Sequence, residues 1–169
     1  MAEQAQSLRQ QMRVHSPKRT WILILVTIGC MVLAGVGYVA IRASLDLALV
    51  NVASDGRDSD VMKWLSRGSD VNARDNGRTA LMYAVQELNL GTARALLNEG
   101  ADPNLVDDNG TTALMIAADR NKPELVRLLL AHGARPNAVD DSGKSARDYA
   151  ELDKSTDVLP LLPPSGRRK

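Results

Sequence analysis

The chain of 169 residues has no phenylalanine and only 3% aromatic residues, and it contains one cysteine and two histidines. A single cysteine excludes an intramolecular disulfide framework and a cysteine-rich zinc site. The two histidines add few ligands of the kind that zinc prefers. Proteins that bind single-stranded nucleic acid stack its bases on aromatic rings, so the shortage of aromatic residues argues against that class.

A surplus of charge is also missing, because 21 Lys and Arg stand against 20 Asp and Glu and leave a net charge of +1. Nucleic-acid binders normally show a basic balance or stripe, which this chain does not. The average hides a segregation: residues 1–20 carry a net +3, residues 42–166 carry −5, and residues 167–169 add +3. A partner of the long C-terminal region would therefore meet an acidic surplus.

Charged residues are absent from residues 21–41, of which 11 are Ile, Leu or Val. At about 1.5 Å per residue, a helix of this length spans roughly 31 Å, close to the hydrocarbon thickness of a bilayer. Trp21 and Tyr38 lie near its ends, where amphipathic rings favour the headgroup level. The sequence predicts a transmembrane helix over 21–41, preceded by a disordered basic segment over 1–20.

Basic residues near the two ends of this segment predict its orientation. Four Lys or Arg precede it within residues 1–20, and two, Arg42 and Arg57, follow within the next 20 residues. The excess favours an N-terminus in the cytoplasm and a C-terminal domain outside the inner membrane, in the periplasm if the source is bacterial. A cleaved signal peptide is the alternative, but its apolar region spans only about 7–15 residues. The longer run favours an uncleaved signal anchor.

Small residues recur on one face of the predicted membrane helix. Thr27, Cys30, Ala34 and Gly37 follow one another at spacings of 3, 4 and 3 residues. Such a stripe lets two helices approach closely, so it predicts a weak homodimer through the membrane segment. Small residues are common in membrane helices, which is the alternative explanation. Cys30 also faintly resembles a lipoprotein attachment site, although cleavage there would leave an apolar new N-terminus.

The remainder of the chain repeats with a constant period of about 33 residues, a length typical of stacked repeat proteins. Gly77, Gly110 and Gly143 keep this spacing, and so do Ala84, Ala117 and Ala150. A fixed period at several independent positions predicts a stack of equivalent units. Each unit reads as two short helices and a turn, and such a unit cannot bury its apolar face alone.

Helix boundary signals recur inside each unit. Thr79 is placed to cap the first helix of its unit. Pro123 and Glu124 suit the first turn of a second helix, and Gly133 suits its end.

The segments Gly110–Ala118 (GTTALMIAA) and Leu128–Asn137 (LLLAHGARPN) carry a family resemblance. They are similar to the two halves of an ankyrin repeat. The resemblance implies an all-α solenoid of helix-turn-helix units with projecting β-turn loops, over residues 42–162. We place four units at 45–75, 76–107, 108–140 and 141–162, the outer two being degenerate caps, and a basic flexible tail at 163–169.

The repeats depart from the family pattern in two ways. Ala and Met replace the family's Pro and His at Ala80/Met82 and Ala113/Met115, and Ala146/Asp148 replace them in the last unit. The resemblance gives that His a hydrogen bond between units, so we expect the stack to depend more on packing by Met. Pro160, Pro163 and Pro164 predict a truncated final helix.

Catalysis needs a nucleophile with a base, paired carboxylates in a pocket, or a metal site. His132 occupies a position that the resemblance makes a surface residue. Asp75, Asp107 and Asp140 match a family position that orders the turn, and glycine-rich phosphate loops are absent. We therefore predict a non-enzyme with no catalytic residue, no metal and no cofactor.

The resemblance implies a protein partner, bound by the turn tips and the exposed side of each first helix. Carried onto this sequence, the candidate contacts are Ser54, Asp55, Asn76, Arg78, Gln86, Glu87, Asp108, Asn109, Thr111, Asp119, Arg120, Asp141, Ser142 and Lys144. Asp108 and Asp141 give the tips an acidic ridge that suits a basic partner. An ordinary solvated surface is the alternative for any one of them.

Two other functions fit the same residues. The chain is an immunity or inhibitor protein if the ridge blocks the active site of a secreted toxin or hydrolase. It is a cytoplasmic-facing membrane adaptor if the topology is reversed.

Overall fold

A computed structural model describes residues 37–56, 58–152 and 157–164. The chain divides into two units, residues 1–41 and residues 42–169. Only 37–41 of the first unit is described, and these residues are helical and exposed. Within the described ranges no helix is both long enough and apolar enough to cross a membrane.

Most of the N-terminal predictions lie outside the described residues. These are the basic segment 1–20, nearly all of the predicted membrane helix 21–41, and the stripe residues Thr27, Cys30 and Ala34. Gly37 of that stripe is described, and it is an exposed helical residue with open space where a Cβ would stand.

The second unit is mostly helical. Its residues 42–55 are helical and are labelled α1, which is followed by α2 (Asp58–Ser66), α3 (Ala80–Gln86), α4 (Leu90–Asn98), α5 (Ala113–Asp119), α6 (Pro123–Ala131), α7 (Ala146–Leu152) and a 3-10 helix (Leu159–Leu161). Two short antiparallel strands, β1 (Arg74–Asp75) and β2 (Arg78–Thr79), join α2 to α3 with Arg74 opposite Thr79. The helical stack that the period predicted is confirmed, with a small hairpin added at one tip.

The helices stack in two layers. First helices α3, α5 and α7 pack side by side, and second helices α2, α4 and α6 form the other layer. Between the layers lies one continuous apolar core, which includes Leu81, Leu96, Leu114 and Leu129 at 1% exposure or less. Leu, Ala, Val and Met fill this core without phenylalanine.

The first helices α3 and α5 begin at a capping threonine, and the cap predicted at Thr79 is confirmed. Thr79 Oγ1 accepts from the Met82 amide, and Thr112 Oγ1 accepts from the Met115 amide, both at 3.3 Å. The Thr112 amide in turn donates to Met115 Sδ at 3.4 Å. Both Met side chains occupy the position of the family's His, and both are 1% exposed. Both therefore pack in the core, and the Met115 side chain also completes the cap of α5.

The last unit closes the stack with a single turn instead of a second helix. Val158 and Leu162 are buried on either side of the 3-10 helix, which contains Pro160. Arg147 Nη1 donates to the carbonyls of Leu159 at 3.3 Å and Leu162 at 3.1 Å. The prolines truncate the element as predicted, and the guanidinium holds the truncated piece against α7.

An asparagine in each of two successive loops ties one unit to the next. Asn72 Oδ1 accepts from the Asp102 amide at 2.9 Å. Asn104 Oδ1 accepts from the Arg135 amide at 2.8 Å, and Asn104 Nδ2 donates to the Gly133 carbonyl at 3.1 Å. These bonds hold consecutive loops at a fixed spacing, which sets the positions of the tips above them.

Candidate protein-binding groove

Two turn tips are ordered by a buried aspartate. Asp107 Oδ1 accepts from the backbone amides of Asn109 and Thr111, both at 3.0 Å. Asp140 Oδ1 accepts from the amides of Ser142 at 2.9 Å and Lys144 at 2.8 Å. Each carboxylate satisfies amide groups that no regular ladder would pair, so it fixes the shape of its tip.

The tip of the second unit is built differently, and the predicted turn-ordering role of Asp75 is wrong. The segment from Gly68 to Gly77 is one residue shorter than the equivalent segment from Gly100 to Gly110. The shorter loop closes as a two-residue hairpin, with φ of 46° at Asn76 and 76° at Gly77. Both angles suit the tight turns that join antiparallel strands. The Asp75 carboxylate accepts from the Asn76 side-chain amide at 3.1 Å, and pairing of β1 with β2 orders this tip.

Neighbouring tips touch one another. The Asp141 amide donates to the Asn109 carbonyl at 3.1 Å. The Asp108 carboxylate lies against Gly77, in the space that a Cβ would fill. Asp108 and Asp141 are both exposed, so the tips present the acidic ridge that the sequence predicted.

A concave groove of about 350 Å³ runs between the tips and the first helices. Its lining is Arg78, Gln86, Thr111, Met115, Ile116, Asp119, Arg120 and Tyr149. Five of these eight were predicted as partner contacts, namely Arg78, Gln86, Thr111, Asp119 and Arg120. Sequence reasoning missed Met115, Ile116 and Tyr149 because it selected polar positions only. Ile116 and Tyr149 are one period apart, so the repeat itself could have placed both on this surface.

Arg78 is held in place at one end of the groove. Its Nη1 donates to Gln86 Oε1 at 2.6 Å, and its Nε lies 3.4 Å from Asp107 Oδ2. Burial would raise the pKa of Asp107, but the hydrogen bonds from Thr111 and Asn109 and the charge of Arg78 outweigh it and lower the pKa. Asp107 is therefore an anion at neutral pH, and it positions the guanidinium toward the groove.

Tyr149 closes the other end. Its hydroxyl donates to Asp140 Oδ2 at 2.6 Å. This bond is the main cause that lowers the pKa of Asp140 to about 2 and raises the pKa of Tyr149 to about 12. Lys144 Nζ lies 5.8 Å from the centre of the Tyr149 ring. At neutral pH Asp140 thus stays ionised and Tyr149 stays a donor. The hydrogen bond between them fixes the position of the Tyr149 ring where it lines the groove.

The other predicted contacts lie along the same row of units. Exposed tip residues are Asn76, Asp108, Asn109, Asp141 and Ser142, with Lys144 partly buried beside them. Glu87 is exposed at the end of α3, and Asp55 is exposed near the end of α1. Ser54 is partly buried, and its hydroxyl donates to the Asn51 carbonyl at 2.8 Å. Their role in binding a partner stays a prediction.

No cluster of three or more His, Cys, Asp or Glu residues able to hold a metal ion is present in the described ranges. His132 is exposed, as the resemblance implied.

Comparisons with known proteins match the repeat region. A family model described as ankyrin repeats (3 copies) matches residues 49–140 and 86–166. The chain is 40% identical over 87 residues to the human mitochondrial disaggregase and 46% identical over 66 residues to the bovine one. It is 39% identical over 67 residues to an L-asparaginase from Dirofilaria immitis.

Each match is partial on both sides. The matched segments cover 44%, 38% and 39% of this chain in the order human, bovine and Dirofilaria, and 12%, 10% and 11% of the relatives. The chain thus spans about a tenth of the length of these relatives. The similarity concerns a shared segment, and the activities that the relatives' names describe do not follow from it.

Proposed function

The chain belongs to the ankyrin-repeat family, and on that premise we propose that it is a non-catalytic, membrane-anchored module that binds one protein partner in the groove. Ankyrin repeats of this kind indicate a protein–protein interaction module. The partner, the membrane anchor and the orientation are proposals that rest on the observations below.

One observation carries the proposal. Side chains from three successive units, including Arg78, Thr111 and Tyr149, line one groove, and Ile116 adds an apolar side chain to it. Two of the charged residues there, Asp119 and Arg120, are exposed, and neither makes an ion pair within the part of the protein that is described. Interfaces favour an anchored Arg or aromatic side chain beside an apolar surface, and this groove supplies both.

The charge of the tips supports a partner with a basic surface. Asp108 and Asp141 stand exposed on adjacent tips that are in direct contact, so their negative charges lie close together. Complementary charge speeds association and favours one partner over others more than it adds affinity. We expect binding of the partner to become slower as the salt concentration rises.

The membrane anchor is supported by the uncharged run 21–41 and by its described end. Tyr38, Val39 and Ile41 are helical and between 63% and 65% exposed. Leaving several neighbouring apolar side chains exposed to water is unfavourable, and a bilayer would cover them. Tethering confines the module and its partner to one surface, so a weak interface suffices. The small-residue stripe would allow a weak homodimer of the anchor.

Site-specific photocrosslinking in native membranes tests the groove. A photoreactive residue replaces Thr111 or Arg120 in the groove, and Glu124 on α6 serves as the matched exposed control. We expect both groove positions to give the same adduct, absent at Glu124. Adducts of equal yield at all three positions would count against the groove, and a stoichiometric adduct with a toxin or hydrolase would identify an inhibitor.

Topology is tested separately. The native cysteine is replaced and a new one is placed at Lys169, and intact cells are treated with a membrane-impermeant thiol reagent. The proposed orientation predicts labelling of intact cells. Labelling only after lysis would assign the repeats to the cytoplasm and make the protein an adaptor on that side.

A further inference from the structure

Two turn tips carry the same dipeptide, Asn76-Gly77 and Asn109-Gly110. An asparagine followed by glycine is chemically reactive, because glycine has no side chain to keep its backbone nitrogen from the preceding side-chain amide. The reaction requires the glycine amide to be free of a hydrogen bond and the turn to open briefly.

The structure holds the two dipeptides differently. The Gly110 amide donates to the Asp107 carbonyl at 3.0 Å, and the Asn109 carbonyl accepts from the Asp141 amide at 3.1 Å. The Asn109 amide also donates to Asp107 Oδ1 at 3.0 Å. The next tip and the buried aspartate therefore hold both residues of this pair in place.

Asn76-Gly77 is supported at other atoms. Arg74 Nη1 donates to the Gly77 carbonyl at 3.1 Å, and Asn76 Nδ2 donates to Asp75 Oδ2 at 3.1 Å, but neither bond engages the Gly77 nitrogen that would attack. Asn76 is exposed, and across the described residues the Gly77 amide has no hydrogen-bond acceptor. The hairpin below it consists of strands of two residues each. Short hairpins with few ladder bonds open more readily than the core beneath them.

We propose that Asn76 is a site of spontaneous deamidation that alters the first tip of the ridge. The deprotonated Gly77 nitrogen attacks Asn76 Cγ and forms a new C–N bond. The bond between Asn76 Cγ and Nδ2 breaks, and ammonia leaves with a proton from water. The five-membered succinimide that results is then opened by one water molecule at either carbonyl, which gives aspartate or isoaspartate at this position.

Either product changes the tip in a defined way. Each adds a negative charge beside Asp75 and near Asp108, whose carboxylate lies against Gly77. Isoaspartate also inserts a methylene into the backbone, which shifts the register of β1 against β2. The modification goes beyond partner binding, since it occurs in the isolated protein.

Mass spectrometry of the full-length protein, incubated in neutral and in mildly alkaline buffer, tests the proposal. Peptides that contain position 76 or position 109 are followed over time for conversion of amide to acid. We expect conversion at Asn76 to exceed conversion at Asn109 by about tenfold, as local opening differs between the two tips. The rate should rise with pH because the attacking amide must lose its proton.

Two controls make the outcome decisive. In concentrated urea the two dipeptides should convert at similar rates, which shows that the fold causes the difference. Asn76→Gln should remove the fast conversion, because ring closure through the longer side chain is slower. Equal rates at both positions in the folded protein, or a stable Asn76 in a protein whose unfolded form converts, would overturn the proposal.

Discussion

Tyr149 and Asp140 join the last tip to the helix below it through one short hydrogen bond. The pKa of Asp140 falls from 3.8 to about 2 on folding, so the native state favours its ionised form. The stability that this lowered pKa contributes is present above the unfolded pKa of 3.8 and is lost as the pH falls through about 2. The acid side of the stability curve should therefore report on this bond.

Tyr149→Phe removes the hydroxyl that donates to Asp140. We expect the free energy of unfolding at neutral pH to fall by about 1–2 kcal/mol, because a buried charged acceptor loses one donor. The pKa of Asp140 should rise toward 3.8, measured by NMR titration of its carboxyl carbon. Tyr83→Phe is the control, since Tyr83 donates to the Asp75 carbonyl at 3.3 Å and that acceptor does not titrate. Identical pH profiles for the two variants would contradict the assignment.

Arg147 secures the truncated end of the stack. Arg147→Lys should lower stability by about 1–2 kcal/mol, because carbonyls of the 3-10 helix lose their donor. Amide exchange at Leu161 and Leu162, whose amides bond within that turn, should accelerate. Glu151→Gln is the control, because it removes only the exposed 2.8 Å ion pair with Arg147. Equal exchange in both variants would show that the guanidinium does not hold the turn.

Local residue roles were predictable from the sequence, and long-range ones were not. Thr79 and Thr112 cap helices that begin at the next residue, so their spacing from an apolar run was sufficient. Arg147 bonds to a carbonyl 15 residues away, and no periodic signal marks that pairing. The prediction for Asp75 failed because its loop is one residue shorter than the equivalent loop of the next unit. The shorter loop forms the β1–β2 hairpin, so its tip does not need a carboxylate to pair its amides.

At the scale of elements, the side chains of Asn72 and Asn104 add hydrogen bonds between neighbouring units, which otherwise contact each other through the apolar core. Asn104→Ala should cost about 1–3 kcal/mol, because the Arg135 amide and the Gly133 carbonyl lose their partner. Chemical denaturation should also become less cooperative, since adjacent repeats are coupled through their interfaces.

Asn137→Ala is the matched control for this prediction. Asn137 holds the equivalent position in the last full loop, one period after Asn104, and it is exposed. Its replacement should leave stability within about 0.5 kcal/mol. A loss as large as that of Asn104→Ala would mean that the asparagines act inside their own loops and not between units.

The order of helices could be predicted because the constant period repeats it. The glycines that end second helices, such as Gly100 and Gly133, have φ of 88° and 86°, a region that glycine enters without strain. The β1–β2 hairpin could not be predicted as a sheet, since strands of two residues carry no alternation. Asn72, Asn104 and Asn137 recur at nearly constant spacing in the sequence, but only the structure shows that the side chains of Asn72 and Asn104 bond to the next loop.

At the scale of the whole molecule, the near-zero net charge concealed an uneven distribution of charge along the chain. The acidic surplus of residues 42–166 includes Asp108 and Asp141 on the tips, while the groove beneath them contains Arg78 and Arg120. The exposed positions of Asp108 and Asp141 could be predicted by aligning the repeat units with one another. The sequence could not predict that Arg78 is anchored by Gln86 and Asp107, which depends on how two units pack.

The proposal that a partner binds in the groove is tested most directly by reversing the charge of one residue in the groove and of one residue on the opposite, second-helix layer. Arg120 lines the groove and Arg127 lies on the second-helix layer; both are exposed, and neither forms an ion pair within the described residues. The measurement is the equilibrium affinity of the full-length protein in nanodiscs for the crosslinked partner. Arg120→Glu should weaken binding by about tenfold or more, and Arg127→Glu by less than about twofold. Equal effects, or a larger effect of Arg127→Glu, would contradict a partner bound in the groove.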